Sequence, residues 1–204
     1  METINKSQIE PALLTSSYSY ADYRSMIDAL MGDHKTTGSN HSEEMLQHTR
    51  MNMQRMNRLD KTAQLQPALL EQLAGVQQAQ TWLVISEAWC GDAAQNLPYL
   101  QMMAEASDKI ELQIVLRDEN LELMDRFLTN GGRSIPKLIL LNASTREVMA
   151  DWGPRPAAAQ TLYQDLKAQQ LPYIEVSTQL HKWYADNKGQ DLQLEIQLLL
   201  QSLR

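Results

Sequence analysis

The chain has 204 residues, 43% of them hydrophobic, which suffices for one domain with a proper core and a helical addition. Its formal net charge of −7 excludes sequence-independent nucleic-acid binding, which runs on Lys and Arg neutralising phosphates. No apolar run approaches the ~20 residues a membrane-spanning helix needs, and a single cysteine rules out an internal disulfide, which fits a reducing, cytoplasmic setting.

In chain order, METINKSQIEPALL lacks a basic region followed by an apolar one and predicts no signal peptide. SYADYRSMIDALMG places Tyr23, Met26, Ile27 and Leu30 at helical spacing, with Gly32 as its stop. GDHKTTGSN is a loop by composition. The next helix starts from Asn40 or Ser42, with Glu43 and Glu44 in the favourable first turn and Met45, Met53, Met56 and Leu59 at its apolar positions. Arg50, Arg55, Arg58 and Lys61 make its outer side basic, read here as a solvated face. ALLEQLAGV adds a short helix, so residues 1–78 form an N-terminal helical extension.

Residues 79–170 change character. TWLVISEA (81–88) is β-prone, CGDAAQNLPYLQMMAEA (90–106) helical, IELQIVL (110–116) a strand and ENLELMDRFL (119–128) helical. PKLILLN (136–142) and REVMADW (146–152) are strands around the turn NAST, and AAAQTLYQDLKAQQ closes the region as a helix. The order β-α-β-α-β-β-α implies parallel crossovers between helix-separated strands and an antiparallel last pair: an α/β fold with a mixed central sheet and helices on both faces. Residues 171–204 form a C-terminal helical extension packing on this domain, two helices broken at Lys188-Gly189, and they offer a route to homo-oligomers.

The element order, with AWCGDA at the first strand-to-helix junction, SIPKLILL at the third strand and DWGP after the last, resembles the thioredoxin family over residues 79–170. The flanking helices resemble a bacterial branch of that superfamily. The resemblance implies a thioredoxin-like fold, Cys90 at the nucleophile position, a cis bond before Pro136, and a substrate groove of Trp89, Gly91, Asp92, Ala93, Ile135, Pro136 and Gly153. Independently of the family, a cysteine at a helix N-terminus lies among unsatisfied N–H groups that favour the thiolate.

The departures from the pattern decide the function. Ala93 stands where a dithiol enzyme keeps its resolving cysteine, and Val84 where many members keep a buried acid. Asp92 replaces a proline, and its charge opposes a thiolate at Cys90. Arg155 could reach the groove and attract an anionic thiol such as glutathione, and Glu87, three before Cys90, offers a nearby base or an ordinary strand-end carboxylate, the second being favoured. His41 and His48 lack the spacing of a metal site, and no metal or other cofactor is expected. The leading expectation is a possible enzyme limited to monothiol thiol-disulfide chemistry through Cys90, acting on a protein or low-molecular-weight thiol or disulfide. The alternatives are a non-catalytic peptide-binding module built on the same groove, and an assembly protein whose terminal helices carry the function.

Overall fold

The computed structural model describes residues 8–203; residues 1–7, where the reading of no signal peptide begins, lie outside the described residues. Four helices open the chain: α1 (Pro11–Thr15), α2 (Tyr20–Gly32), α3 (Glu43–Thr62) and α4 (Pro67–Ala74). The central region follows as β1 (Gln80–Ser86), α5 (Gly91–Glu105), β2 (Ile110–Leu116), α6 (Leu121–Asp125), β3 (Lys137–Asn142), β4 (Val148–Trp152) and α7 (Ala157–Ala168). Helices α8 (Tyr173–Asn187) and α9 (Gln190–Ser202) complete it, parted at Lys188 and Gly189. Among the described residues no helix is long and apolar enough to cross a membrane.

The strands form one mixed sheet in the order β2-β1-β3-β4. β1 and β2 pair in parallel from Gln80↔Ile110 to Ser86↔Leu116. β3 departs from the expected parallel crossover: it runs antiparallel to β1, from Gln80↔Asn142 to Ile85↔Lys137. The reason lies in the connection. β2 ends beside Ser86 and β3 begins beside Ile85, so the chain re-enters the sheet at the end where it left it and no crossover is made. The chain beyond α6 turns back through Thr129–Gly132, where Asn130 and Gly131 both adopt positive φ. β4 then pairs antiparallel with β3, with an irregularity at Leu140/Leu141.

β1 is buried along its whole length, as expected of a strand covered on both faces. One continuous core joins Leu83, Ile85, Ile114, Leu138 and Leu140 to Tyr23 and Ile27 of α2, Met56 of α3, Leu69 and Leu73 of α4, and Ile196 and Leu200 of α9. The terminal helices are therefore part of the hydrophobic body. The amino-terminal segment also touches both sheet edges, through Tyr18 against Ile114 of β2 and Gln8 against Glu147 beside β4. That cover blunts edges that would otherwise pair with another chain.

α3 buries an unexpected mixture: Leu46, Met56 and Leu59, but also Thr49 and Asn52. Each polar group has a partner. Thr49 Oγ1 lies 2.6 Å from Thr36 Oγ1, and Asn52 Nδ2 donates to the Ala88 carbonyl at 2.9 Å. The helix thus docks on the junction between β1 and α5, where Cys90 sits. A smaller cluster of Ala159, Leu180 and Tyr184, flanked by Tyr163 and Trp183, packs α8 against α7.

Candidate functional site

Cys90 is the N-cap residue of α5, and its Sγ accepts the Ala93 N–H at 3.4 Å. On its other side Sγ lies 3.3 Å from the Ile135 carbonyl, in donor geometry for a thiol. The strand-to-helix turn and the loop entering β3 therefore meet at this sulfur. The Ile135–Pro136 and Gly153–Pro154 bonds are both cis, and Pro136 is buried beside Ile135. Gly153 adopts φ +117, and a Cβ there would strike the Pro136 carbonyl oxygen, so only glycine lets these segments approach so closely. Trp89 is half-buried, with the Arg117 guanidinium 4.8 Å from its ring centre. Ala93 is buried and carries no group that could attack a mixed disulfide.

Two opposing influences on the Cys90 thiol were legible before folding: the helix terminus and Asp92. The structure adds a third that dominates both. Burial pushes the thiol up to about 12, the Asp92 charge adds to the rise, and the Ala93 N–H and Arg155 oppose it. Cys90 is only 8% exposed, and as it sits it is a thiol.

Helices of both extensions reach the residue beside Cys90. A Cβ on Gly91 would lie 2.8 Å from Cε1 and Nε2 of His181 on α8, and 3.7 Å from an Arg55 nitrogen on α3. His181 packs its ring on the position next to the cysteine and contacts Gln95 at 3.2 Å. Burial, reinforced by the charge of Arg55, lowers His181 to about 3, so the ring is neutral.

Asp92 is turned inward and caught between two side chains. Arg155 Nη2 reaches Oδ2 at 2.6 Å, and the Tyr184 hydroxyl of α8 donates to Oδ1 at 2.9 Å. Burial raises the Asp92 carboxyl, while Arg155 and Tyr184 pull it back. The Asn96 amide donates to the Tyr184 hydroxyl at 3.3 Å and to the Asp92 carbonyl at 2.9 Å. The anion that Arg155 meets here is thus an internal one, and the pair ties α8 to the cysteine-bearing turn.

Glu87 departs from its reading as an ordinary strand-end carboxylate. It is fully buried, and one oxygen accepts the Asp118 N–H at 2.8 Å. Burial raises this carboxyl, which shares its surroundings with Thr37 and Asp118. Val84 lies buried within β1, paired across the sheet with Ile114 and Leu138.

Three contributors were not legible in the sequence. Arg55 lay within a run read as solvated, yet it is half-buried beside Gly91 and donates to Asn52 Oδ1 at 2.7 Å. His181 and Tyr184 lay in a helix read only as an extension. A signal did exist: Tyr184 follows Val176 and Leu180 at helical spacing, on the face that folds inward. What that face would meet was set by topology alone. Among the described residues no group of three or more His, Cys, Asp or Glu side chains could hold a metal ion.

Comparison with known proteins bears on the fold. A family profile described as Thioredoxin matches residues 38–167, beginning ahead of α3. No curated protein matches the sequence. The crystal structure of an HIV epitope-scaffold is similar at a TM-score of 0.54 and 18% identity, covering 91% of this chain and 99% of that one. A protein of unknown function from Pseudomonas aeruginosa gives a TM-score of 0.48 and 20% identity, covering 84% of this chain and 98% of its own.

Proposed function

The chain belongs to the thioredoxin family, and we propose that it performs thiol–disulfide exchange through Cys90 alone, from a closed resting state that α8 must leave. The Cys90 thiolate attacks one sulfur of a disulfide RS–SR′, having given its proton to solvent. A Cys90–SR bond forms, and R′S⁻ leaves with the bonding electron pair. An external thiol R″SH, from a small molecule or another protein, then loses its proton and attacks the mixed disulfide. RS–SR″ is released and Cys90 returns to the thiolate. With Ala93 at the resolving position, the second step cannot be internal.

The observation that carries this reading is the placement of Sγ between the Ala93 N–H and the Ile135 carbonyl. There a partner sulfur would meet helix N–H groups that stabilise negative charge. The raised thiol belongs to the covered state. Removing the cover would remove burial, its largest cause, and leave the N–H groups in place.

A second reading, a non-catalytic module whose groove captures an extended segment, is favoured by the same burial and by the Asp92–Arg155–Tyr184 tie. One experiment separates them. The protein is incubated with glutathione disulfide and read by intact mass. A mixed disulfide on the native chain, absent from Cys90→Ser, supports exchange. No adduct on the native chain, where the urea-unfolded chain forms one readily, removes the exchange reading and leaves the binding module.

A further inference from the structure

Three side chains along α8 meet the turn that carries the cysteine. Tyr173, in its first turn, lies within reach of the Cys90 and Asp92 charges, the His181 ring packs on Gly91, and the Tyr184 hydroxyl holds Asp92. The grip is polar. Among the described residues no member of α7 or α8 belongs to the main hydrophobic core; Ala159, Leu180 and Tyr184 form a cluster of their own. At its far end α8 passes to α9 through Lys188 and Gly189, both at positive φ. A helix held in this way can leave α5 without exposing the main core.

His181 is where that grip is sensitive. Its Nδ1 lies 3.2 Å from Gln95 Nε2, an amide nitrogen that can only donate, so the ring accepts there and is neutral. Around it, Arg55 and His48 act from α3 and Arg155 from the link to α7, all three against a charge on the ring. Tyr184 is its neighbour on α8 itself. The carboxylates nearby are committed elsewhere: Asp92 of α5 to Arg155 and Tyr184, and the exposed Glu44 to His48 at 3.8 Å. A proton on Nδ1 would face the Gln95 N–H, and its charge would face two guanidinium groups in a covered site. In water the same ring meets neither obstacle.

We propose that His181 makes α8 a proton-operated cover: when the ring takes up a proton from solvent, α8 leaves the amino end of α5 and the Cys90 site is uncovered. The inference rests on the closed resting state of the exchange reading and names what opens it. The covered ring protonates only near 3 and the uncovered one near 6.5, so the open form binds the extra proton and gains as pH falls. The gain is about tenfold between pH 7.5 and 5.5. The proton governs access and not thiol ionisation, which acid opposes. Exchange therefore declines less steeply with acid than it does for a free thiol.

The single cysteine reports the cover. The full chain is labelled with N-ethylmaleimide at pH 7.5 and 5.5 and read by intact mass. Each rate is divided by that of the urea-unfolded chain at the same pH, which removes the thiolate's own pH dependence. The ratio is expected to rise about tenfold in wild type from pH 7.5 to 5.5. It should stay level in His181→Asn, or in His181→Gln if circular dichroism shows the first variant unfolded. Tyr184→Phe, which cuts the tie to Asp92, should raise the ratio about tenfold at both pH values. A level wild-type ratio, a rise that survives in the folded His181 variant, or a Tyr184→Phe ratio equal to wild type overturns the proposal. So does a rise that steepens sharply in low urea, since the whole chain and not α8 would then have opened. Glutathione disulfide at the same two pH values judges exchange separately. A maleimide rise without a glutathione adduct upholds the cover and removes the exchange reading.

Discussion

Asp92→Asn tests the electrostatic account of Cys90 directly. The thiol moves from an ordinary 9.0 to about 12, with burial as the larger cause and the Asp92 charge as the next. Three units correspond to a roughly thousandfold smaller thiolate fraction at neutral pH. The wild-type protein at pH 7 is therefore expected to react with iodoacetamide far more slowly than the urea-unfolded chain. Asn at position 92 keeps an acceptor for the Tyr184 hydroxyl but removes the neighbouring negative charge, which is worth about 1–2 units. It also leaves Arg155 uncompensated, and that charge favours the thiolate. Alkylation should rise about 10- to 100-fold and still fall short of the unfolded chain, because burial persists. Loss of one partner from a buried ion pair costs about 3–5 kcal/mol, so circular dichroism and the thermal midpoint must be read beside intact mass to confirm folding. Two results would refute the reasoning: a folded Asp92→Asn protein that labels no faster than wild type, or wild-type labelling at pH 7 within tenfold of the unfolded rate.

Three more outcomes follow from the same geometry. Gly91→Ala drives a Cβ to 2.8 Å from the His181 ring, and displacing that ring is expected to cost about 1–2 kcal/mol. His181→Ala should relieve most of that cost in a double-mutant cycle by urea unfolding; strictly additive losses would show that the two positions do not touch. Gly153→Ala meets a backbone oxygen at φ +117 with no side chain able to yield, so a loss of about 2–4 kcal/mol is expected, and a neutral change would contradict the packing. The third concerns acid. His181 faces Gln95, Gly91, Arg55, His48, Arg155 and Tyr184, and its value falls from 6.5 to about 3. It is neutral when folded and takes up a proton on unfolding, so its contribution is constant above 6.5 and stability is lost as pH falls toward 3. Between pH 6.5 and 5 this amounts to about 2 kcal/mol. His181→Asn should flatten the decline in urea midpoint between pH 7 and 5; an unaltered slope would place the titration elsewhere.

The sequence by itself determined most of the elements and the sulfur's position; it gave no sign of α1, and α6 is shorter than ENLELMDRFL suggested. IELQIVL coincides with β2 as observed, and the run from Val76 back to Ala68 overlaps α4, because alternation and helical spacing are local properties. Ser42, one of the two starts read for α3, is its N-cap, and the break at Lys188-Gly189 was legible for the same reason. So was the missing partner thiol, since a chain with one cysteine cannot resolve its own mixed disulfide. Tertiary structure alone decided the direction of β3, because that depends on how the loop after α6 turns in space and not on which residues favour a strand. It alone brought His181 and Tyr184, about ninety positions downstream, onto Gly91 and Asp92. It also set the state of Cys90. A helix terminus and a neighbouring charge can be read along a chain, but burial is the sum of contacts from segments distant in sequence, the Ile135 carbonyl among them. In this protein that sum outweighs both, so the cysteine rests as a covered thiol.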